Sequence, residues 1–145
     1  MAEYPYRIRK IFVIQEYNPN GYYICKLNFN GIYQEVIVDD LFPVNERNNE
    51  PVFAWPAMRR YMWVLVLEKC WAKLLGGYLN CHYGYTSEAF QTLTGAPTKA
   101  YLLGQYKNVD PTFEGMFQLL KESDEKRYAM QVTRNYSGGD KVNAK

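Results

Sequence analysis

Three residue pairs in this sequence could do chemistry: Cys70-Trp71, Cys81-His82 and Asp39-Asp40. A cysteine nucleophile needs an exposed thiolate at a helix N-terminus or beside a cation. It also needs a base within hydrogen-bond reach and a third group that fixes the base. Cys70 falls inside the apolar stretch YMWVLVLEKCWAKLL at 61–75, which predicts a helix, so it stands mid-helix and is expected to be a buried structural cysteine. His82 is the sole histidine. Adjacent residues rarely orient as nucleophile and base, so an exposed loop histidine is expected. Zinc at Cys81-His82 would need two or more further ligands at suitable spacing, and no such cluster occurs in the sequence. Asp39-Asp40 ends an apolar run and is expected to cap backbone N–H groups of the following turn rather than to bind metal.

The elements that must position these residues follow from periodicity. Residues 7–15 read as a strand through Ile8, Ile11, Phe12, Val13 and Ile14, and break at Asn18-Pro19-Asn20-Gly21, a turn cluster. Residues 22–29 alternate as a second strand. Asn30-Gly31 is the strongest short hairpin signal, because both central positions of a type I′ turn need positive φ. A third strand at 32–38 completes an antiparallel meander. The stretch at 61–75, interrupted only by Glu68, Lys69 and Lys73, predicts a helix buried all round, with Pro56 near its start and Gly76-Gly77 at its stop. It is too short and too charged to cross a bilayer, which takes about 20 apolar residues. A short helix from Thr86 or Ser87 ends at Gly95-Ala96-Pro97. A strand at 98–103 comes next, then a helix with Asp110 as N-cap and Pro111 in its first turn. That helix carries one stripe of Phe113, Met116, Phe117 and Leu120. A last strand is expected at 128–133, and residues 136–145 read as a flexible polar tail. The fold class is α+β, with one domain over 1–135.

Composition excludes several function classes. The 17 basic and 15 acidic residues leave a formal charge of +2, so neither nucleic acid nor anionic lipid is expected as a partner, and no membrane insertion is expected. Three cysteines give an odd count without paired short spacing, which argues against a disulfide framework and for a reducing, intracellular compartment. The start, MAEYPYRIRKIFVI, does not read as a signal peptide. Fourteen tyrosines, apolar in body and polar at the tip, suit a seam where the chain meets a partner.

Four stretches, in order, resemble the protease core of the calpains, papain-like cysteine peptidases. They are IYQEVIVDDLFPV at 32–44, PVF at 51–53, MWVLVLEKCWAKLLGGY at 62–78 and TSEAFQTLTG at 86–95. Order and spacing agree over about two-thirds of the chain, far more than a lone short motif. The resemblance implies a partial papain-like core, the late first lobe and the start of the second. It implies a structural core of Trp63, Leu67, Cys70, Trp71 and Phe90, with Cys70-Trp71 at the Ala-Tyr of the family's Glu-Lys-Ala-Tyr-Ala-Lys segment. It also places the substrate cleft at Gly84, flanked by Tyr83 and Tyr85; the family has a Gly-Gly pair there, so Tyr83 replaces its first glycine.

The family's catalytic Cys, His and Asn segments have no counterpart in this sequence. Calcium is expected for the family, but Tyr61 stands where the family carries a ligating carboxylate, so no cofactor is expected here. The implied function is that of a non-catalytic calpain-like interaction or scaffold subunit. Protein partners are expected, among them chains completing the protease core, in the cytoplasm or in a cytoskeletal or organellar assembly. The rival is one piece of an active calcium-dependent cysteine endopeptidase whose Cys, His and Asn lie outside this chain.

Overall fold

The structure is a computed structural model and describes residues 5–56, 61–81 and 84–132. It divides into two compact units, 1–100 and 101–145, each described by itself.

The first unit is built on a hairpin. Strands β1 (Tyr22–Phe29) and β2 (Ile32–Asp39) pair antiparallel, with Cys25 facing Val36 and Phe29 facing Ile32. Asn30 (φ 52°) and Gly31 (φ 82°) both take positive φ, as the type I′ reading of Asn-Gly requires. Ahead of the hairpin, the expected first strand is replaced by a short helix, α1 (Pro5–Arg9), whose turn is extended by Ile11 and Phe12 N–H groups donating to the Ile8 and Arg9 carbonyls. Ile8, Ile11 and Phe12 have the i, i+3, i+4 spacing of a helix face, and a short apolar run does not separate that pattern from a strand. What survives of the expected first strand is one bridge, Phe12 to Cys25. It is framed by hydrogen bonds from Val13 N–H to the Ile24 carbonyl and from Lys26 N–H to the Ile11 carbonyl.

Helix α2 (Trp63–Leu74) packs on both strands, and α3 (Thr86–Thr94) packs on β1. The core cluster is Ile11, Phe12, Tyr23, Cys25, Leu27, Val36, Val38, Val66 and Cys70. Alternate residues of β1 point into it, and Val66 and Cys70, one helical turn apart, meet them from α2. The expectation that this helix is buried all round is corrected. Only Val66, Cys70 and Ala72 are fully buried, while Trp63 and Leu67 lean on the cluster half-covered. The hairpin covers the stripe of Val66 and Cys70, while Ala72, two residues on and so on the far side of the helix, is buried apart from it.

Helix α2 stops at Gly76-Gly77 by a Schellman arrangement. The Gly77 N–H donates to the Ala72 carbonyl and the Gly76 N–H to the Lys73 carbonyl, with positive φ at both glycines. Pro56 does not open this helix, which begins seven residues later.

The second unit holds α4 (Leu103–Tyr106) and α5 (Glu114–Glu125). Two expected strands are corrected here. Residues 98–102 are irregular and lead into α4, and residues 128–132 form no strand; among the described residues neither segment has a partner strand to complete a ladder. Thr133 and the tail at 136–145 lie outside the described residues.

Asp110 does not cap α5 in the expected register. Its carboxylate accepts from the Gly115 N–H at 2.8 Å and from the Thr112 hydroxyl at 2.9 Å, so Pro111 and Thr112 form a turn ahead of a helix that starts at Glu114. On α5 only Met116 is buried. Phe117 is 64% exposed and Leu120 is also exposed.

Candidate functional site

Helix α2 presents a row of side chains to the β2 end of the hairpin. The Lys69 ammonium reaches the Asp39 carboxylate and the Leu41 carbonyl, and the Lys73 ammonium donates to the Ile37 carbonyl at 2.7 Å. Asp39 also accepts the Leu41 N–H at 2.9 Å, the role in the next turn that its place at a strand end predicts. On another side of the helix, both Glu68 oxygens accept the Ala54 N–H, at 3.1 and 3.0 Å, and so anchor the loop before the helix. That anchoring role was not read from the sequence. The available signal was a carboxylate inside an apolar helix, which must find a donor once it is covered.

The ion pair has a pH signature. The hydrogen bond from Lys69, then that from the Leu41 N–H, hold the Asp39 carboxyl below its ordinary value of 3.8. A carboxyl depressed on folding stabilises the fold above its unfolded value, and that contribution is lost as pH falls through the lower folded value. Asp39→Asn is therefore expected to be less stable than the parent at neutral pH. The gap should narrow as the pH falls below 3.8, as read from unfolding midpoints across a pH series. A gap unchanged in acid would show that the pair contributes nothing through charge.

Cys70 lies in the middle of α2 at 0% exposure, its Sγ 3.6 Å from the Val36 carbonyl oxygen. Its neighbour is Cys25, also 0% exposed. The adjoining Cys70 thiol, then burial, pushes Cys25 far above the ordinary cysteine value, while Cys25 in turn draws Cys70 down. Lys73 and Lys69 favour the Cys70 thiolate through their charge, a cationic influence that its mid-helix position had not suggested. Nothing in the spacing of Cys25 and Cys70 marks them as neighbours; only the packing of helix on hairpin brings them together.

After the Schellman stop, a 3-10 turn (Tyr78–Cys81) stacks the Tyr78 ring on Phe53, centroids 4.7 Å apart and planes 6° apart. Burial first, then Glu68, raises both the Tyr78 phenol and the Cys81 thiol. His82 and Tyr83 lie outside the described residues. Tyr85 is 76% exposed and precedes α3 in extended conformation. A Cβ at Gly84 would meet only open space, so crowding inside the chain does not demand glycine there. Trp71 and Phe90 are half-buried. Among the described residues no three of His, Cys, Asp and Glu stand close enough to hold a metal ion, and exposed Tyr61 offers a phenol rather than a carboxylate. Among the described residues no helix is long and apolar enough to cross a membrane.

Comparison with known proteins supplies the family. The family model described as calpain family cysteine protease matches residues 1–145. The calpain-type cysteine protease DEK1 of Zea mays is 36% identical over 89 residues, 61% of this chain and 4% of that protein. Calpain-7 of Homo sapiens is 40% identical over 63 residues, 43% of this chain and 8% of that protein. The calpain-1 catalytic subunit of Macaca fascicularis is 38% identical over 73 residues, 50% of this chain and 10% of that protein. The matched regions are thus a small part of each relative's length. With a match along its whole length and an α+β hairpin-on-helix core, the chain belongs to the calpain family of cysteine proteases.

Proposed function

We propose that this chain is a calpain-like core segment that acts without catalysis, as an interaction or scaffold subunit of a larger intracellular assembly. The observation that carries this reading is the setting of Cys70. It is fully buried in mid-helix with its Sγ against the Val36 carbonyl, whereas a peptidase nucleophile must meet substrate and a base. A partner surface is supported by the second unit, where Phe117, Leu120, Met130 and Val132, with Lys121, Asp124 and Gln131, line an open hollow of about 430 Å³.

The rival reading is one piece of an active, calcium-dependent cysteine endopeptidase whose triad lies outside this chain. It is favoured by the small share of each relative that the matches cover. The two readings are separated by the intact mass of the native polypeptide and by a peptidase assay with Cys70→Ser as control. The scaffold reading expects a native species near 17.0 kDa, no thiol-dependent peptidase activity with or without calcium, and co-purifying chains. A much heavier native polypeptide favours the rival, and activity of the 17.0 kDa chain that Cys70→Ser abolishes would sink the scaffold reading.

A further inference from the structure

We propose that Cys25 and Cys70 form a redox-closable pair, and that oxidation by a peroxide joins them in a disulfide that locks helix α2 to the hairpin. The inference concerns the same buried Cys70 but does not rest on the proposed function: a thiol closed off from substrate in the folded chain reacts only when α2 opens.

The placement is specific. Cys25 faces Val36 across the hairpin, and the Cys70 Sγ lies 3.6 Å from the carbonyl oxygen of that same Val36. Both residues are 0% exposed members of one core cluster. Both are free thiols, brought together at the Val36 position by the packing of α2 on the hairpin. Cys81, the third cysteine, is instead half-buried beside the Gly77 carbonyl and belongs to a different element.

Lys73 and Lys69, on the same helix as Cys70, favour a thiolate there through their charge, so Cys70 is the sulfur that reacts first. When α2 opens far enough to admit a peroxide, the Cys70 thiolate attacks one peroxide oxygen. The O–O bond breaks, and Cys70 becomes a sulfenic acid. The departing hydroxide takes a proton and leaves as water. The Cys25 sulfur then attacks the Cys70 sulfur, the S–S bond forms, and the S–OH bond breaks. The hydroxide released there leaves with the Cys25 proton as a second water. Two thiols lose two electrons and two protons, and the peroxide takes up both. Burial makes this slower than oxidation of an exposed thiol, and the same burial shelters the closed disulfide from exchange.

The test uses the full chain carrying Cys81→Ser, in which Cys25 and Cys70 are the remaining thiols. After hydrogen peroxide treatment the intact mass is expected to fall by two hydrogens, and titratable thiols in denaturant to fall from two to none. Digestion with trypsin should yield the peptide ending at Lys26 joined to the one beginning at Cys70. The thermal midpoint should rise by on the order of 10 °C and return on reduction. Two thiols still titratable after exposure, oxygen added to either sulfur without crosslinking, or crosslinks only between molecules would each overturn the proposal. Peptide mapping of the unaltered chain detects the same crosslink without any substitution.

Discussion

Leu27→Ala is expected to lower the stability of the first unit by about 3 kcal/mol, within the range of 2 to 5 kcal/mol seen for emptying a buried leucine site. Leu27 is among the largest fully buried side chains, at 0% exposure, and it lies on the inward face of β1 in the cluster that α2 completes. Truncation removes its transfer free energy and leaves a cavity. The strand backbone, held by the β2 ladder, cannot move far to fill that cavity. Denaturant titration followed by tryptophan fluorescence would measure the loss, since Trp63 and Trp71 both lie on α2. Phe117→Ala is the matched control in the second unit. Phe117 is larger, yet 64% exposed, and its loss is expected to cost under about 1 kcal/mol. A similar cost at both sites would mean that the core is not where burial places it.

Gly95→Ala is expected to cost about 2 kcal/mol, although it adds a single methyl group. Gly95 ends α3 at φ 68°, a conformation that costs an L-residue roughly 1 to 2 kcal/mol. Its N–H closes the helix on the Gln91 carbonyl. A Cβ there would overlap the Tyr33 hydroxyl, and Asn28 Nδ2 lies 3.4 Å away. That hydroxyl donates to the Thr94 carbonyl at 3.1 Å, tying the end of α3 to the hairpin across 61 residues of sequence. The ring can swing aside because it is half-exposed, so the overlap is relieved by giving up that hydrogen bond, worth about 1 kcal/mol. A double-mutant cycle separates the contributions. In a Tyr33→Phe background, which lacks the hydroxyl, Gly95→Ala should lose about 1 kcal/mol less. Equal costs in the two backgrounds would show that backbone conformation alone makes Gly95 necessary.

Several features were legible because they depend on local chemistry. Asn30-Gly31 specifies its turn, since few other residues accept positive φ at both positions. Gly76-Gly77 and Gly95 specify helix ends for the same reason. Tyr23, Cys25 and Leu27 alternate on one face whether or not their partners are known. Cys70 could be removed from the list of nucleophiles on its helical position, and its burial in the folded chain agrees with that reading.

Other features were not legible because they depend on what covers a residue. Ile8, Ile11 and Phe12 satisfy a helix face and a strand alike, and the choice falls to which hydrogen bonds the neighbouring β1 can complete. Residues 128–132 have the composition of a strand but no partner strand among the described residues, and unpaired backbone does not form a ladder. Phe113, Met116, Phe117 and Leu120 form a stripe by spacing, yet only Met116 is covered.

By itself, the sequence determined the hairpin, the α2 helix with its stop, and the calpain resemblance. Each rests on residue types and spacings that act within a few positions of one another. The tertiary structure alone decided that α2 buries part rather than all of its circumference, that Glu68 and Lys69 anchor loops, and that Cys25 and Cys70 share one core cluster. Those outcomes depend on which residues far apart in the chain are brought into the same space, and local spacing carries no record of that.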